Sequence, residues 1–267
     1  MNIFRHEFKA RVPSALIWSL ANGLLVMAFM SLYASFASEA AAMEELLSSM
    51  PRELLIAFGI TNMDLTTPLG YFALLFVFVQ LCLGIQGANY GLGLVSREET
   101  ELTADFLLTR PVTRVRLMTQ KLLAASAALW ITALVVTIGS LAAVALFRDG
   151  AAVPPRPLAA LLLSVPLFQH VFLALGLVLS LLMHRVRSVP PLSLALVFAL
   201  YLLNAFGALV GERGLEVLSP FRHWSPAEIV ARGGWEWPLV AISLAATAVA
   251  IPLAYRLYAR RDIRGAA

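Results

Sequence analysis

The sequence predicts an all-α, polytopic membrane protein with six transmembrane helices, and three observations carry that prediction. Hydrophobic residues make up 60% of the 267-residue chain and charged residues only 13%. A soluble domain of this size is nearer half apolar and a quarter charged. Mean hydropathy is +0.82, an excess of apolar side chains for which a water-surrounded core has no room. Finally, the apolar residues gather into six runs, each long enough for the roughly 20 residues that a helix needs to cross about 30 Å of hydrocarbon.

The runs are residues 14–36, 70–95, 122–147, 158–183, 189–210 and 238–259. None holds Asp, Glu, Lys or Arg except the last, whose Arg256 lies near its end and can reach the headgroups. The short alternating segments of a β-barrel are absent. The first run exceeds the roughly 7–15-residue apolar core of a secretory signal, so it reads as a retained span, although Ser35 and Ala37 resemble a cleavage site. Cys82, the single cysteine, lies inside the second run and reads as a packing residue. It leaves no intrachain disulfide and no cysteine metal cluster, and no metal site is expected. No internal repeat marks two transporter halves, so residues 1–267 are read as one domain.

The segments between the runs follow in order. Over residues 1–13, Phe4, Phe8 and Val12 recur at helical spacing with Arg5, His6, Glu7, Lys9 and Arg11 between them, which predicts an amphipathic helix lying in the membrane interface before the chain turns into the bilayer. His6 and Glu7 lack the second histidine of a zinc-protease motif. Residues 37–69 are acidic, contain the apolar patch "LLIAFGI", and predict one or two short helices on the outer surface. In residues 212–237, Pro220, Pro226 and Gly233–Gly234 mark turns, while Phe221, Trp224, Trp235 and Trp237 suit the headgroup layer. Two short helices fit there, either re-entrant or lying on the surface.

Six spans put both termini on one side. Fourteen of the 20 Lys and Arg residues lie on that side, and the positive-inside rule makes it the cytoplasm. The expected location is therefore the prokaryotic cytoplasmic membrane, with N- and C-termini cytoplasmic. The net charge of +4 comes from basic residues at membrane boundaries, where each gains about 1 kcal/mol from anionic lipid. The partner they imply is the lipid bilayer. Aromatic-basic interleaving is missing, so no nucleic acid is implied.

The loop over residues 96–121, "SREETELTADFLLTRPVTRVRLMTQK", concentrates charge between the second and third spans. Ser96 and Glu99 match a capping box, which predicts a helix starting there and running to about Leu108. Pro111 interrupts it and suits the first turn of a second helix. On that helix Val112, Val115, Met118 and Leu122 share a face, and Arg114 and Lys121 share another. Topology signals and interface anchoring explain the basic and apolar residues. They leave Glu98, Glu99, Glu101 and Asp105 unexplained, whereas mixed charge around an exposed apolar cluster suits protein docking.

This loop resembles the cytoplasmic loop of ABC transporter permeases of the type-2 exporter superfamily. Those loops carry acidic residues, a Thr, a Leu-Leu pair, Pro-Val, an Arg and a Lys, matched here by Glu98, Glu99, Thr103, Leu107, Leu108, Pro111, Val112, Arg114 and Lys121. Many have Gly before the Thr, where this chain has Leu102. "MPRELLIAFGITNMDLTTPLGYF" and "LSPFRHWSPAEIV" look like the same superfamily. The resemblance implies a permease subunit of an ATP-binding-cassette exporter, moving substrate across the membrane with ATP hydrolysed by a separate cytoplasmic ABC ATPase subunit. It also implies that the loop is the coupling helix that docks the ATPase. Phe106, Leu107 and Leu108 would supply buried contact, and Glu98, Glu99, Arg110 and Arg114 would set orientation.

The chain lacks G-x-x-x-x-G-K-[ST] and any Gly-Lys pair. No cofactor is expected to bind it directly; ATP and Mg belong to the partner. A G-x-S-x-G elbow and paired carboxylates at membrane depth are absent too, so it is not expected to be an enzyme. The alternatives are an ion-coupled secondary transporter and a non-transporting anchor or assembly protein. The first needs a titratable intramembrane group, and the best offered is His170 beside Gln169. Asn22, Gln169, His170 and Asn204 are candidate route-lining residues, each equally suited to ordinary helix–helix hydrogen bonding. Resemblance also implies a second permease copy or a homologous permease. Gly207 and Gly211 in the fifth span are the candidate interface, with Gly87 and Gly91 a second G-x-x-x-G.

Overall fold

The computed structural model describes residues 3–39, 45–46, 48–51, 54–55, 63–100, 113–183, 186–210 and 217–260, with backbone alone at 97–100 and 210. The elements are α1 (Ile3–Met30), α2 (Tyr33–Ser38), α3 (Pro68–Thr100), α4 (Arg114–Phe147), α5 (Pro155–Leu182), α6 (Val189–Val210), α7 (Pro220–His223), α8 (Pro226–Arg232) and α9 (Trp237–Arg260). Among the described residues there is no strand, and six helical segments are long and apolar enough to cross a membrane. The chain is an all-helical, multi-pass membrane protein. Each span contains one of the six apolar runs, or nearly all of it.

Two expected helix starts need correction. The interfacial helix over residues 1–13 does not turn before the first span: α1 is continuous through Pro13. Proline removes one backbone N–H from the ladder, yet the helix runs on through it, and Arg11 is already buried at 6% exposure. Ser96 does not start a helix either. It lies inside α3, where its hydroxyl donates to the Leu92 carbonyl four residues back at 2.7 Å. A serine mid-helix bonds backward along the same helix instead of capping a new one.

The largest helix contacts are α3 against α5 and α1 against α4, with α9 laid on α5 and α6 on α3. Glycine sets the first. A Cβ on Gly91 would stand 2.1 Å from the Leu173 carbonyl oxygen, and one on Gly87 2.5 Å from that of Gln169. From the opposite helix, a Cβ on Gly176 would meet the Ala88 carbonyl oxygen at 2.6 Å. The G-x-x-x-G of the second span therefore brings two helices of one subunit together.

Buried side chains form two apolar clusters. One holds Val79, Leu83, Val136, Phe168, Phe172, Val197 and Trp224; the other, nearer the termini, holds Tyr90, Leu94, Met118, Ala125, Leu129, Leu177 and Ala254. Between them runs a polar seam. Gln169 Nε2 donates to Gln86 Oε1 at 2.9 Å, Gln86 Nε2 to Thr132 Oγ1 at 2.8 Å, and Thr132 Oγ1 to the Ala15 carbonyl at 3.3 Å. The chain of bonds links α5, α3, α4 and α1, and all three side chains are fully buried. Truncating one member strands its partners, which costs about 1–3 kcal/mol per buried group. Gln86→Leu is therefore expected to lower the midpoint of thermal unfolding in detergent. Gln86→Leu with Gln169→Leu is expected to recover part of that loss.

The α7–α8 pair is re-entrant with respect to the bundle. Ser219 and Ser225 cap its two helices, each followed by Pro at the first helical position. Gly233, at φ 69°, closes α8 in the left-handed conformation. Gln80 Nε2 donates to the Trp224 carbonyl at 2.7 Å, at a point about 18 Å along α3 from Pro68. Phe221 packs edge-on against Phe168, Phe172 and Tyr201, with centroids 5.2–5.7 Å apart. The headgroup position expected for Trp224 is thus wrong: it is fully buried, because the pair descends between α3, α5 and α9.

His223 fastens this pair to α9. Its Nε2–H donates to the Val217 carbonyl at 2.7 Å, and its Nδ1 meets the Ser243 hydroxyl at 2.7 Å. Burial pushes its pKa below the ordinary 6.5; the Val217 bond opposes that and the Arg222 charge reinforces it. A depressed histidine binds fewer protons folded than unfolded, so stability rises with pH through that window. Acidification below about pH 6.5 is expected to destabilise the protein progressively. Unfolding midpoints between pH 7.5 and 5.5 check this, with a shallower dependence expected for His223→Gln.

Candidate functional site

The charged loop leaves the bundle at the end of α3 and returns at the start of α4. Glu98 and Glu99 lie on the last turn of α3. Thr103, Phe106, Leu107, Leu108, Arg110 and Pro111 lie outside the described residues. The return is fixed by Thr113, the N-cap of α4. Its backbone is extended (φ −68°, ψ 144°) and its hydroxyl accepts from the Arg116 N–H at 3.3 Å, an N-cap that satisfies one free donor. Thr113 was missed in the sequence because no Glu or Gln follows three residues on.

The first turns of α4 are tied to two other helices. Arg114 Nη1 donates to the Ala259 carbonyl at 3.4 Å, meeting a carbonyl in the last turn of α9, where intrahelical partners run out. Thr119 shares a hydrogen bond of 2.8 Å with the Tyr255 hydroxyl. Lys121 is expected from its spacing to face outward beside Arg114. It does not: it is 4% exposed, and its ammonium donates to the Leu94 carbonyl of α3 at 2.8 Å. Met118 is fully buried beside it, whereas Val115, expected on the same face, is 56% exposed.

The beginning of α1 completes the site. Arg11 forms an ion pair with Glu7 and also donates to the Glu7 carbonyl at 3.1 Å. The Tyr90 hydroxyl donates to the Arg11 carbonyl at 3.4 Å. Lys121 lies within electrostatic reach of the Glu7 carboxylate. Phe8 packs on the cluster formed by Leu94, Met118 and Ala125. The helices flanking the loop are thus joined to α1 and α9 by charge-assisted and neutral hydrogen bonds. This arrangement suits transmission of force. Among the described residues no group of His, Cys, Asp and Glu is placed to hold a metal ion.

The family of the chain is decided by its match to the family model described as "ABC-2 family transporter protein", which covers residues 1–263. The chain belongs to the ABC-2 transporter family. No curated protein matches it as a relative. It is a permease, the membrane component of an ABC transporter and not the catalytic one. The family implies an ABC ATPase as partner in general terms.

Within this ABC-2 permease the other candidate residues scatter. Gln169 belongs to the buried seam. Asn22 is 1% exposed and donates to the Trp18 carbonyl of its own helix at 2.8 Å. His170 lies on α5 next to Trp130, with Nδ1 2.7 Å from the Pro166 carbonyl. Asn204 is half-buried on α6. The four are not gathered at one place by any described hydrogen bond. Gly207 is buried within the subunit, and Gly211 lies outside the described residues.

Proposed function

We propose that this permease is the membrane subunit of an ATP-driven exporter, powered by a separate cytoplasmic ABC ATPase that docks on the loop between α3 and α4. The observation that carries the reading is the family match over residues 1–263 in a chain with no phosphate-binding loop of its own. In this reading the energy source is another subunit, which holds the ATP and Mg. The loop is the coupling element, with Glu98, Glu99, Thr103, Phe106, Leu107, Leu108, Arg110, Pro111 and Arg114 as its contacts and determinants. Both termini face the cytoplasm of a prokaryotic cell membrane, in keeping with the excess of Lys and Arg on that side.

A second copy or a homologous permease completes the pathway by pairing along the first and fifth spans. Burial of Gly207 within the subunit weakens the glycine pair as the contact. The faces left on those spans carry Leu16, Ile17, Leu20 and Leu24 on α1, and Leu194, Phe198, Leu202 and Phe206 on α6. Asn22 and Asn204 each keep a buried amide oxygen without a hydrogen-bond partner among the described residues. They are the polar groups from these two spans on which a route between permeases would draw. His170, the titratable group that an ion-coupled carrier would use, has its Nδ1 engaged by the Pro166 carbonyl of its own helix at 2.7 Å.

Co-expression with candidate ABC ATPases from the same genome tests the reading. ATP hydrolysis that rises when the permease is present supports it. A permease that recovers no ATPase from detergent-solubilised membranes contradicts it.

A further inference from the structure

We propose that the start of α4 and the end of α9 form a binding site for an anionic phospholipid, with Arg116, Arg256 and Arg260 on its phosphate and a strip of exposed apolar side chains along its acyl chain. The inference does not depend on the ATPase reading. It begins from three cations without counterions. Arg11, Arg222 and Arg232 each pair with a glutamate. Among the described residues Arg116, Arg256 and Arg260 take part in no ion pair, and all three are exposed.

Two bonds set the register of the helices that carry them. Arg114 Nη1 reaches the Ala259 carbonyl at 3.4 Å, and the Thr119 and Tyr255 hydroxyls meet at 2.8 Å. The helices therefore run antiparallel, and Arg116 falls level with Leu257 and Tyr258, between Arg256 and Arg260. At the α-helical rise the three share a slab about 6 Å deep. Helical phase aligns these cations with apolar side chains. On α9, Val249, Leu253, Arg256 and Arg260 follow one another at three- and four-residue steps and so share a face; Val249 is 67% exposed and Leu253 40%. On α4, Arg116, Leu123 and Trp130 recur at seven-residue steps, and both apolar members are half exposed. Counted round each helix from Thr119 and Tyr255, the two faces open to the same side of the pair, opposite the buried faces that carry Ala125 and Ala254.

A phosphodiester joined to hydrocarbon is the chemistry that fits. Guanidinium groups grip phosphate oxygens in bidentate fashion, and three like charges on one slab are relieved by an anion between them. Leu253 stands one turn from Arg256 on the hydrocarbon side, so the apolar strip begins where the cations end. An acidic protein surface would satisfy the arginines and leave that strip unused. The strip also lies away from α1 and α6, the spans proposed above for pairing with a second permease.

The test uses the purified full-length permease in mixed micelles, with phosphatidylglycerol and phosphatidylcholine brominated on an acyl chain as probes. Bromine quenches a nearby indole, and the share of quenching lost in Trp130→Phe reports on the strip. Phosphatidylglycerol is expected to quench that share at a mole fraction at least about tenfold lower than phosphatidylcholine, since each arginine near an anionic headgroup is worth about fivefold. Arg256→Gln with Arg260→Gln is expected to remove most of this preference, Arg116→Gln alone to lower it about fivefold, and the matching Lys variants to keep it. Arg5→Gln with Lys9→Gln takes the same charge from exposed positions on α1 and is expected to leave the preference unchanged. Equal losses in the two double variants would reduce the effect to net charge and overturn the site. So would a parent that is quenched equally by both lipids, or an α9 double variant that keeps the parent's preference. Inorganic phosphate that displaces the brominated lipid as well as plain phosphatidylglycerol does would assign the arginines to a soluble anion and overturn the lipid.

Discussion

Gly91→Ala will prevent this permease from assembling. The added Cβ would sit 2.1 Å from the Leu173 carbonyl oxygen and 2.8 Å from the Leu177 nitrogen, and both are backbone atoms of a packed helix that cannot swing aside. Relief requires α3 and α5 to separate along their whole contact, which is among the two largest in the molecule. Ordinary overpacking costs about 1–3 kcal/mol; a clash of backbone against backbone exceeds that and consumes much of a stability of about 5–15 kcal/mol. The control is Gly139→Ala, where the nearest atom is the Gly23 Cα at 3.9 Å. Helix propensity alone acts there, and a gain of up to about 1 kcal/mol is expected. Fluorescence-detected size-exclusion of detergent extracts separates the two: loss of the folded peak for Gly91→Ala, and a retained peak with an equal or higher melting temperature for Gly139→Ala.

Leu107→Asp with Leu108→Asp will release the ATPase while leaving the permease folded. Buried apolar anchors at the centre of an interface are commonly worth about 2 kcal/mol or more each. Losing both, and burying two charges in their place, costs on the order of 4 kcal/mol, or about a thousand-fold in affinity. Recovery of ATPase with tagged permease is expected to fall to background, with an unaltered size-exclusion profile of the membrane subunit. Glu98→Gln with Glu99→Gln is expected to weaken the association less and to reduce its salt dependence. Unchanged recovery in the leucine double variant would remove the loop from the interface.

The spans were legible because the bilayer imposes a length and an absence of charge that few other folds require. Each described span contains its predicted run or most of it, and the differences lie at ends where charged turns extend the helices beyond hydrocarbon. Inside the bundle legibility failed for a physical reason. Lipid and protein interior are both apolar, so periodicity cannot say which face of α3 meets α5, nor that Gly87 and Gly91 make that contact while Gly207 is buried elsewhere. Ser96 fits a capping box by spacing, but its hydroxyl had an equally good carbonyl in its own helix. The charged residues among Phe4, Phe8 and Val12 suggested an interfacial helix that turns before the first span, but α1 runs on through Pro13. Lys121 misled most: charge normally points to water, and only the position of the Leu94 carbonyl shows that this one points inward. At the candidate site, Arg114 and Thr119 are seen in their contacts with α9, while the apolar centre of the loop is known from its residues alone.

The most direct measurement is transport by purified permease in proteoliposomes, with and without its ATPase, using as probe a cargo identified by its accumulation in cells lacking the gene. The account predicts that the probe moves only when ATPase and ATP are both present. Movement of the probe by the permease alone, driven by an ion gradient or by none, would contradict it.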